Sequence, residues 1–407
     1  MSCGKIWYAP HRQQAYGEHE IRTVEKCLRE HCWLGGDGGP CVADFETRVC
    51  ALFAKKHGIF VNSGSSANEL AAQILARRMN LRPGDEIVTP ALTFSTTVAP
   101  WERLSNDRTV GVQLVFCDVA PGRYVPSVDQ VLACVTERTR VITLPNLIGE
   151  KPDWAALRER LVELHRKDIV LFEDSCDIIT STPETDVATC SFYASHMITA
   201  GGGGGICMFN DPALLQLGHT VRDWGRGSAG GSKGFGNASE DMAERFAHDI
   251  DGIPFDHKFL YNTLGYNFKC SEMNAAFGLA QLDRLREFSE HRLRLFARYM
   301  ERLQHVPQVQ LAQGAWHHTL YMAFPIQTDE RMGLFNHLER CDIQTRVLFS
   351  GNVTRHPAFR RHFAVFPEAD RVMRRGGLLG CHHGMTIADV DRVCDCIIAY
   401  FQSKGSS

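Results

Sequence analysis

From Gly17 to Glu30 the apolar positions Ile21, Val24 and Leu28 recur at helical spacing, and the Gly-rich stretch Gly35 to Pro40 then breaks the pattern. The spacing predicts a second helix over Val42 to Phe53 and a short apolar strand over Gly58 to Val61. A turn follows at Asn62-Ser63-Gly64-Ser65-Ser66, then an Ala/Leu-rich helix reaching Asn80. Further apolar runs predict strands at Glu86 to Thr89, Leu114 to Cys117, Val141 to Leu144, Ile169 to Phe172, Thr189 to Tyr193 and Gly205 to Phe209, alternating with helical patterns. Such alternation belongs to the α/β class, with a parallel or mixed sheet covered by helices on both faces. Between Arg222 and His257 the chain turns rich in Gly, Ser, Asp and His without a period, which marks a long excursion serving a site or an interface. A helix resumes at Ser271 to Arg286 and leads through Glu290 to Leu303 into a C-terminal α/β module ending near Gln402.

A chain of 407 residues exceeds the size at which one core keeps growing. The expected division is a large domain over 1–286, N-terminal segment included, and a smaller C-terminal α/β domain over 287–407. The 44 basic and 47 acidic residues are scattered, with a net charge of -3 and no basic stripe, so nucleic acid is excluded as a partner. Met1 to Tyr8 lacks a basic segment leading into an apolar core, and no run reaches the roughly 18 apolar residues of a span; no membrane partner and a cytoplasmic location are expected. The fifteen cysteines sit singly inside helices and strands, as in Ile206-Cys207-Met208, the pattern of reduced, buried thiols. Cys394-Asp395-Cys396 has no second pair at metal-ligand spacing, so no metal is expected.

The candidate chemistry sits in the breaks between these elements. At Asn62 to Leu70, small residues between a strand and a helix leave backbone N–H groups and two hydroxyls at a helix N-terminus, where a phosphate can bind; the same turn also serves as an ordinary cap. Glu173-Asp174-Ser175 ends an apolar strand at the edge where open α/β sheets place ligands, and a carboxylate there can pair with a protonated ring nitrogen or cap a helix. Ser191 to Ala200 carries His196 ahead of the five glycines Gly201 to Gly205, weak evidence when taken alone.

In this order the segments resemble the aspartate-aminotransferase-like (fold type I) sugar aminotransferases, the DegT/DnrJ/EryC1/StrS family. The likeness rests on Asn62-Ser63-Gly64-Ser65-Ser66-Ala67, Pro90 to Thr97 with Thr93-Phe94, Glu173-Asp174, Ser191 to Gly205, and Gly265-Tyr266-Asn267-Phe268-Lys269 before a helix. It implies that the large domain binds pyridoxal 5'-phosphate (PLP), with Asp174 paired to the ring nitrogen, Phe94 stacked on the ring and Asp177 near the ring hydroxyl. It also implies Gly64, Ser65 and Ser191 as phosphate ligands, and Tyr193 and Lys269 as substrate contacts. Asn267 would reach the phosphate from a neighbouring subunit, which implies a homodimer with shared active sites.

One departure from the family pattern is informative. The family's cofactor-binding lysine falls five residues after the serine of the Ser-Phe segment, and here that position is His196. Imidazole cannot attach the cofactor covalently, so the site is either retired or rebuilt for an unanchored cofactor. A subgroup resembling this chain, the sugar-nucleotide 3-dehydratases, also reads Ser-Phe-Tyr with His three residues later, as in Ser191-Phe192-Tyr193 and His196. In that subgroup the pyridoxamine form (PMP) acts on a nucleotide-linked 4-keto-6-deoxyhexose, and the histidine moves the proton that accompanies loss of the C3 hydroxyl. A base that cannot become a nucleophile favours elimination over transamination.

Within the subgroup, an ascarylose-pathway type carries a 2Fe-2S cluster on cysteines that follow an Arg-Asp-Trp-Gly-Arg segment. Here Arg222-Asp223-Trp224-Gly225-Arg226 continues Gly227-Ser228-Ala229-Gly230-Gly231, with no cysteine until Cys270. Cys176 alone could match a ligand, and one thiolate cannot hold a cluster needing four, so no iron-sulfur cluster is expected. The iron-free colitose-pathway type, acting on GDP-4-keto-6-deoxymannose, implies L-glutamate as amino donor and release of ammonia. The alternatives are a nucleotide-sugar 4-aminotransferase using a displaced lysine, with Lys258 and Lys269 nearest in sequence, or a retired PLP-fold binding protein. Retention of Asp174, Ser191, Phe94 and Asn267 argues against the latter.

Overall fold

The computed structural model describes residues 4–11, 14–30, 34–35, 39–227, 241–313 and 319–405. The centre of the Gly-rich excursion, 228–240, and part of the first Gly-rich break, 36–38, lie outside the described residues. Helices α1 (Glu18–Glu30) and α2 (Pro40–Leu52) precede β1 (His57–Val61) and α3 (Gly64–Met79), whose C-cap Asn80 takes the left-handed conformation. The chain continues through β2 (Glu86–Pro90), α4 (Ser95–Asn106), β3 (Gln113–Cys117), β4 (Thr139–Pro145), β5 (Val170–Asp174), β6 (Val187–Ser191) and β7 (Gly205–Phe209).

These seven strands form one sheet in the order β1-β7-β6-β5-β4-β2-β3. Strand β7 runs antiparallel to both neighbours, and the other pairings are parallel. Strands β2, β4, β5, β6 and β7 are almost wholly buried, as the unbroken apolar runs require when helices cover both faces. Because β7 is flanked antiparallel, β1 points the same way as β6. The carboxyl ends of β1, β2, β4, β5 and β6 therefore open on one edge, where α/β sheets bind ligands.

Two of the boundaries that differ from the periodicity shape the site and the end of the large sheet layer. The strand expected over Thr189 to Tyr193 ends at Ser191, where its pairing with Gly205 stops, and the chain leaves the sheet so that Tyr193 faces solvent while Phe192 stays buried. The helix expected over Ser271 to Arg286 breaks at Arg284, and a second helix, Leu285–Leu303, starts immediately.

The excursion contains a two-stranded hairpin, β8 (His248–Ile250) with β9 (Ile253–Phe255). Beyond it, β10 (Gln310–Leu311), β11 (Phe324–Gln327), β12 (Thr345–Val347) and β13 (Gly376–Leu379) form an antiparallel sheet in the order β10-β11-β13-β12. Helices Leu285–Leu303 and Ile387–Gly405 pack on each other beside it. Ile6 bridges to Ile343 and shares a core with Leu334, Leu338, Leu378 and Val393. Every described cysteine is a free thiol, and among the described residues no helix is long and apolar enough to cross a membrane.

Candidate active site

A cavity of about 380 Å³ lies over the carboxyl edge of the large sheet, and the C-terminal sheet closes its far side. Its walls include Gly64, Ser65, Phe94, Asp174, Asp177, Ser191, Tyr193 and His196, so eight of the sequence-derived candidates converge there. Asn267 and Lys269 are not part of it. Lys269 instead lies 3.5 Å from Asp223 and over the Trp224 ring, and Asp223 bridges to Asn267. The Arg222 to Arg226 and Gly265 to Lys269 segments, far apart in sequence, thus pack together away from their own chain's cavity.

The floor is built by strand alternation. Successive side chains of β5 face opposite sides of the sheet, so Asp174 points at α3 and α4 while Glu173 points into the other layer. Asp174 Oδ2 accepts from Asn68 Nδ2 at 2.8 Å and Thr97 Oγ1 at 2.6 Å, and Oδ1 accepts from the Cys176 N–H at 3.2 Å. Thr189 of β6 donates to Asn68 Oδ1, which fixes the amide so that its nitrogen faces Asp174. Beneath, buried Glu173 accepts from Asn146, Thr182 and Thr185 and ties the strand end to neighbouring loops.

At one end of the floor, α3 begins with Ser63 as N-cap, its hydroxyl accepting from the Ser66 N–H. The first-turn N–H groups have no acceptor within a helix, so this terminus presents donors beside the Ser65 and Ser191 hydroxyls. A Cβ on residue 64 would sit 2.6 Å from the Ser191 Cβ and 2.8 Å from the Cys176 Sγ; glycine keeps this cradle open. Phe94 is half-exposed into the cavity with its ring edge-on to Phe349. A flat heteroaromatic ring bearing a phosphate fits this donor set, with a carboxylate at one end, N–H and hydroxyl donors at the other and an aromatic face between.

The opposite wall carries two titratable groups, His196 and Asp177. His196 sits in the turn after β6, its N–H bonded to the Tyr193 carbonyl and its ring at right angles to Tyr193. Its Nδ1 lies 3.2 Å from Met322 Sδ and 3.8 Å from Asp177 Oδ1. Burial, aided by the nearby Arg292 cation, pushes the imidazole down to about 4. Burial also pushes the Asp177 carboxyl up to about 7, opposed by the Ile148 N–H it accepts and reinforced by Asp174. Both shifts disfavour charge, so the 3.8 Å approach is a contact between largely neutral groups rather than an ion pair. Ile148 adopts φ 62°, a costly conformation for a β-branched residue, and there its N–H meets Asp177 while its carbonyl accepts from the Met322 N–H.

Several wall residues carried no sequence signal of their own. Tyr8, Met322, Arg346, Val347 and Phe349 come from the N-terminal segment and the C-terminal sheet, outside every recognised motif. Asn68 and Thr97 lay inside the quoted segments without an assigned role. Arg292 could have been flagged, because it occupies the buried stripe Phe288, Arg292, Leu295, Tyr299 and Leu303, where an arginine is out of place. No lysine among the described residues lines the cavity.

Comparison with known proteins gives the same architecture. The chain is 33% identical over 413 residues to dTDP-4-dehydro-2,6-dideoxy-D-glucose 3-dehydratase of Saccharopolyspora spinosa, covering 96% of this chain and 85% of that protein. It is 32% identical over 378 residues to the lipopolysaccharide biosynthesis protein RfbH of Salmonella typhimurium, covering 86% and 82%. Among solved structures, E. coli GDP-4-keto-6-deoxy-D-mannose-3-dehydratase with bound hydrated PLP superposes with a TM-score of 0.79 at 22% identity, covering 97% and 100%. The architecture is the fold type I, aspartate-aminotransferase-like one. Residues 14–398 match the DegT/DnrJ/EryC1/StrS aminotransferase family, and the chain belongs to that family.

Proposed function

We propose that this chain is a PLP/PMP-dependent 3-dehydratase acting on a nucleotide-linked 4-keto-6-deoxyhexose, with L-glutamate as amino donor and ammonia as a product. The observation that carries this reading is His196 on the cavity wall, at the family's lysine position, in a cavity that no described lysine lines. Names of relatives support the reaction class, since two of the compared proteins are 3-dehydratases of nucleotide-linked keto sugars.

Bound as PMP, the cofactor supplies an amine to capture the 4-keto group and a ring that accepts electrons. Asp174 would pair with the ring nitrogen, the α3 terminus with Ser65 and Ser191 would hold the phosphate, and Phe94 would stack on the ring. His196 is neutral at physiological pH and so free to accept the proton from the carbon bearing the cofactor amine. It then delivers that proton to the departing C3 hydroxyl, which leaves as water. Asn267, exposed and outside its own cavity, completes the neighbour's phosphate site in a homodimer. The segment from Met242 to Asn267 also exposes Met242, Ile253, Tyr261 and Leu264, apolar surface suited to such an interface.

The test is incubation with PLP, glutamate and a panel of nucleotide-linked 4-keto-6-deoxyhexoses, reading product masses and ammonia together. Loss of one oxygen from the sugar with ammonia formed is expected. Nitrogen in place of the ketone oxygen would establish transamination and overturn the reading. His196→Asn is expected to abolish dehydration, a loss of about 10²–10⁴-fold or more, while cofactor binding measured by absorbance persists. Retained turnover would remove His196 as the base.

A further inference from the structure

A neutral imidazole has one N–H and one bare nitrogen, and the contacts of one nitrogen decide which is which. His196 Nδ1 faces the Met322 thioether at 3.2 Å. Sulfur in a thioether has lone pairs and no hydrogen, so the approach is favourable only when Nδ1 carries the proton. Asp177 Oδ1, at 3.8 Å, is beyond hydrogen-bond reach.

The two backbones that bring sulfur and imidazole together are clamped. Arg292 is buried, and its fork donates through Nη1 to the Met322 carbonyl at 2.8 Å and the Cys381 carbonyl at 2.6 Å. Through Nη2 it donates to the His196 carbonyl at 3.1 Å. The other side of Met322 is fixed as well, its N–H donating to the Ile148 carbonyl at 2.7 Å. Tethering three segments by three carbonyls needs the planar fork; a lysine ammonium on a flexible stem is a point donor.

Resting on the reading of His196 as the base, we propose that Arg292 and Met322 are positioning residues that fix its place and its tautomer, with the hydrogen on Nδ1 and Nε2 left bare. A carboxylate usually orients a histidine and also makes it more basic. A thioether orients the ring without adding negative charge, and the imidazole stays unprotonated near neutrality, as burial and the Arg292 cation also favour. Asp174, Asp177, Tyr8, Tyr193 and Arg346 share the cavity wall with His196 and are the other groups able to act on its charge.

The test is nitrogen NMR of full-length protein carrying 15N-histidine, with and without cofactor, the His196 signals being assigned by their loss in His196→Asn. An Nδ1–H, Nε2-bare ring is expected between pH 6 and 8, and Met322→Leu, similar in volume, is expected to shift the ring toward the Nε2–H form. The same substitution should lower kcat roughly tenfold at unchanged KM, part of what a positioned base supplies. Arg292→Gln should lower kcat by about 10²-fold, the scale of a displaced catalytic group, and Arg292→Lys should not rescue it. An Nε2–H ring in the unaltered protein, or unchanged His196 shifts in Met322→Leu, would overturn the proposal even if Arg292→Gln fails to fold. The tautomer is read without turnover. A wrong tautomer beside an inactive His196→Asn therefore rejects the positioning alone, whereas an active His196→Asn rejects the base on which it rests.

Discussion

The floor and the far wall of the cavity hold their acidic groups in opposite ways. Asp174, on the floor, accepts from an amide and a hydroxyl, each fixed by a helix of the large sheet layer, and from a backbone N–H in the turn after β5. Asp177, three residues on, accepts from the single N–H of Ile148 and is pushed up to about 7 by burial. His196 beside it is pushed down to about 4. The floor is thus organised to hold one carboxyl by three donors, and the wall to disfavour charge on both of its groups. A cofactor that must stay in place without a covalent anchor needs the first, and an elimination that moves a proton needs the second.

The contrast breaks most severely at Asp174. Asp174→Asn leaves the shape and removes the charge. Losing one partner of a buried pair costs about 3–5 kcal/mol, so cofactor affinity measured by absorbance titration is expected to fall by roughly 10²–10³-fold. Affinity within a factor of a few of the unaltered protein would mean that Asp174 does not face the ring nitrogen.

At Asp177 the effect is on stability and runs the other way. A carboxyl moved from 3.8 to about 7 stays protonated in the folded chain where the unfolded chain has ionised it. Its stabilisation is therefore complete below pH 3.8, and it is lost as pH rises toward 7. The lost stability reaches at most about 4 kcal/mol. His196 has the opposite slope: moved from 6.5 to about 4, it favours the folded chain fully above 6.5 and loses that contribution as pH falls toward 4. Between pH 4 and 6.5 the two slopes oppose each other. Asp177→Asn should therefore stabilise the cofactor-free protein at pH 8 by about 2–4 kcal/mol and leave the His196 slope uncovered at acid pH. Denaturant midpoints across a pH series check this, and an unchanged midpoint at pH 8 would show that burial does not push the Asp177 carboxyl up.

The same division separates what could be read in the sequence from what could not. Asp174, Ser191, Gly64 and Phe94 stand at strand ends or helix starts, so short local patterns mark them and sheet topology brings those ends to one edge. The strand order and its antiparallel member β7 left no such local trace, because pairing is decided between segments. The wall is held in place by Ile148, Arg292 and Met322, separated by up to 174 positions, and a lone methionine or isoleucine looks like core material in any sequence. The excursion around Arg222 to His257 lacked a period because its exposed apolar side chains face neither core layer, as Ile253 and Phe255 illustrate.

The mildest way to sharpen the comparison is Thr97→Val, which keeps volume and deletes the hydroxyl that donates to Asp174 Oδ2 at 2.6 Å. A hydrogen bond to a charged group contributes about 1.5–3 kcal/mol, but Asn68 still donates to the same oxygen and Thr189 still fixes Asn68. The carboxyl should thus remain nearly in place, and cofactor affinity should weaken by roughly tenfold, well short of Asp174→Asn. The variant separates two accounts of the floor. If each donor holds the carboxylate independently, Asn68→Ala should match Thr97→Val and the double variant should cost the sum. If Thr189, Asn68 and Thr97 act as one network, Asn68→Ala should cost more than Thr97→Val and the double variant little beyond it.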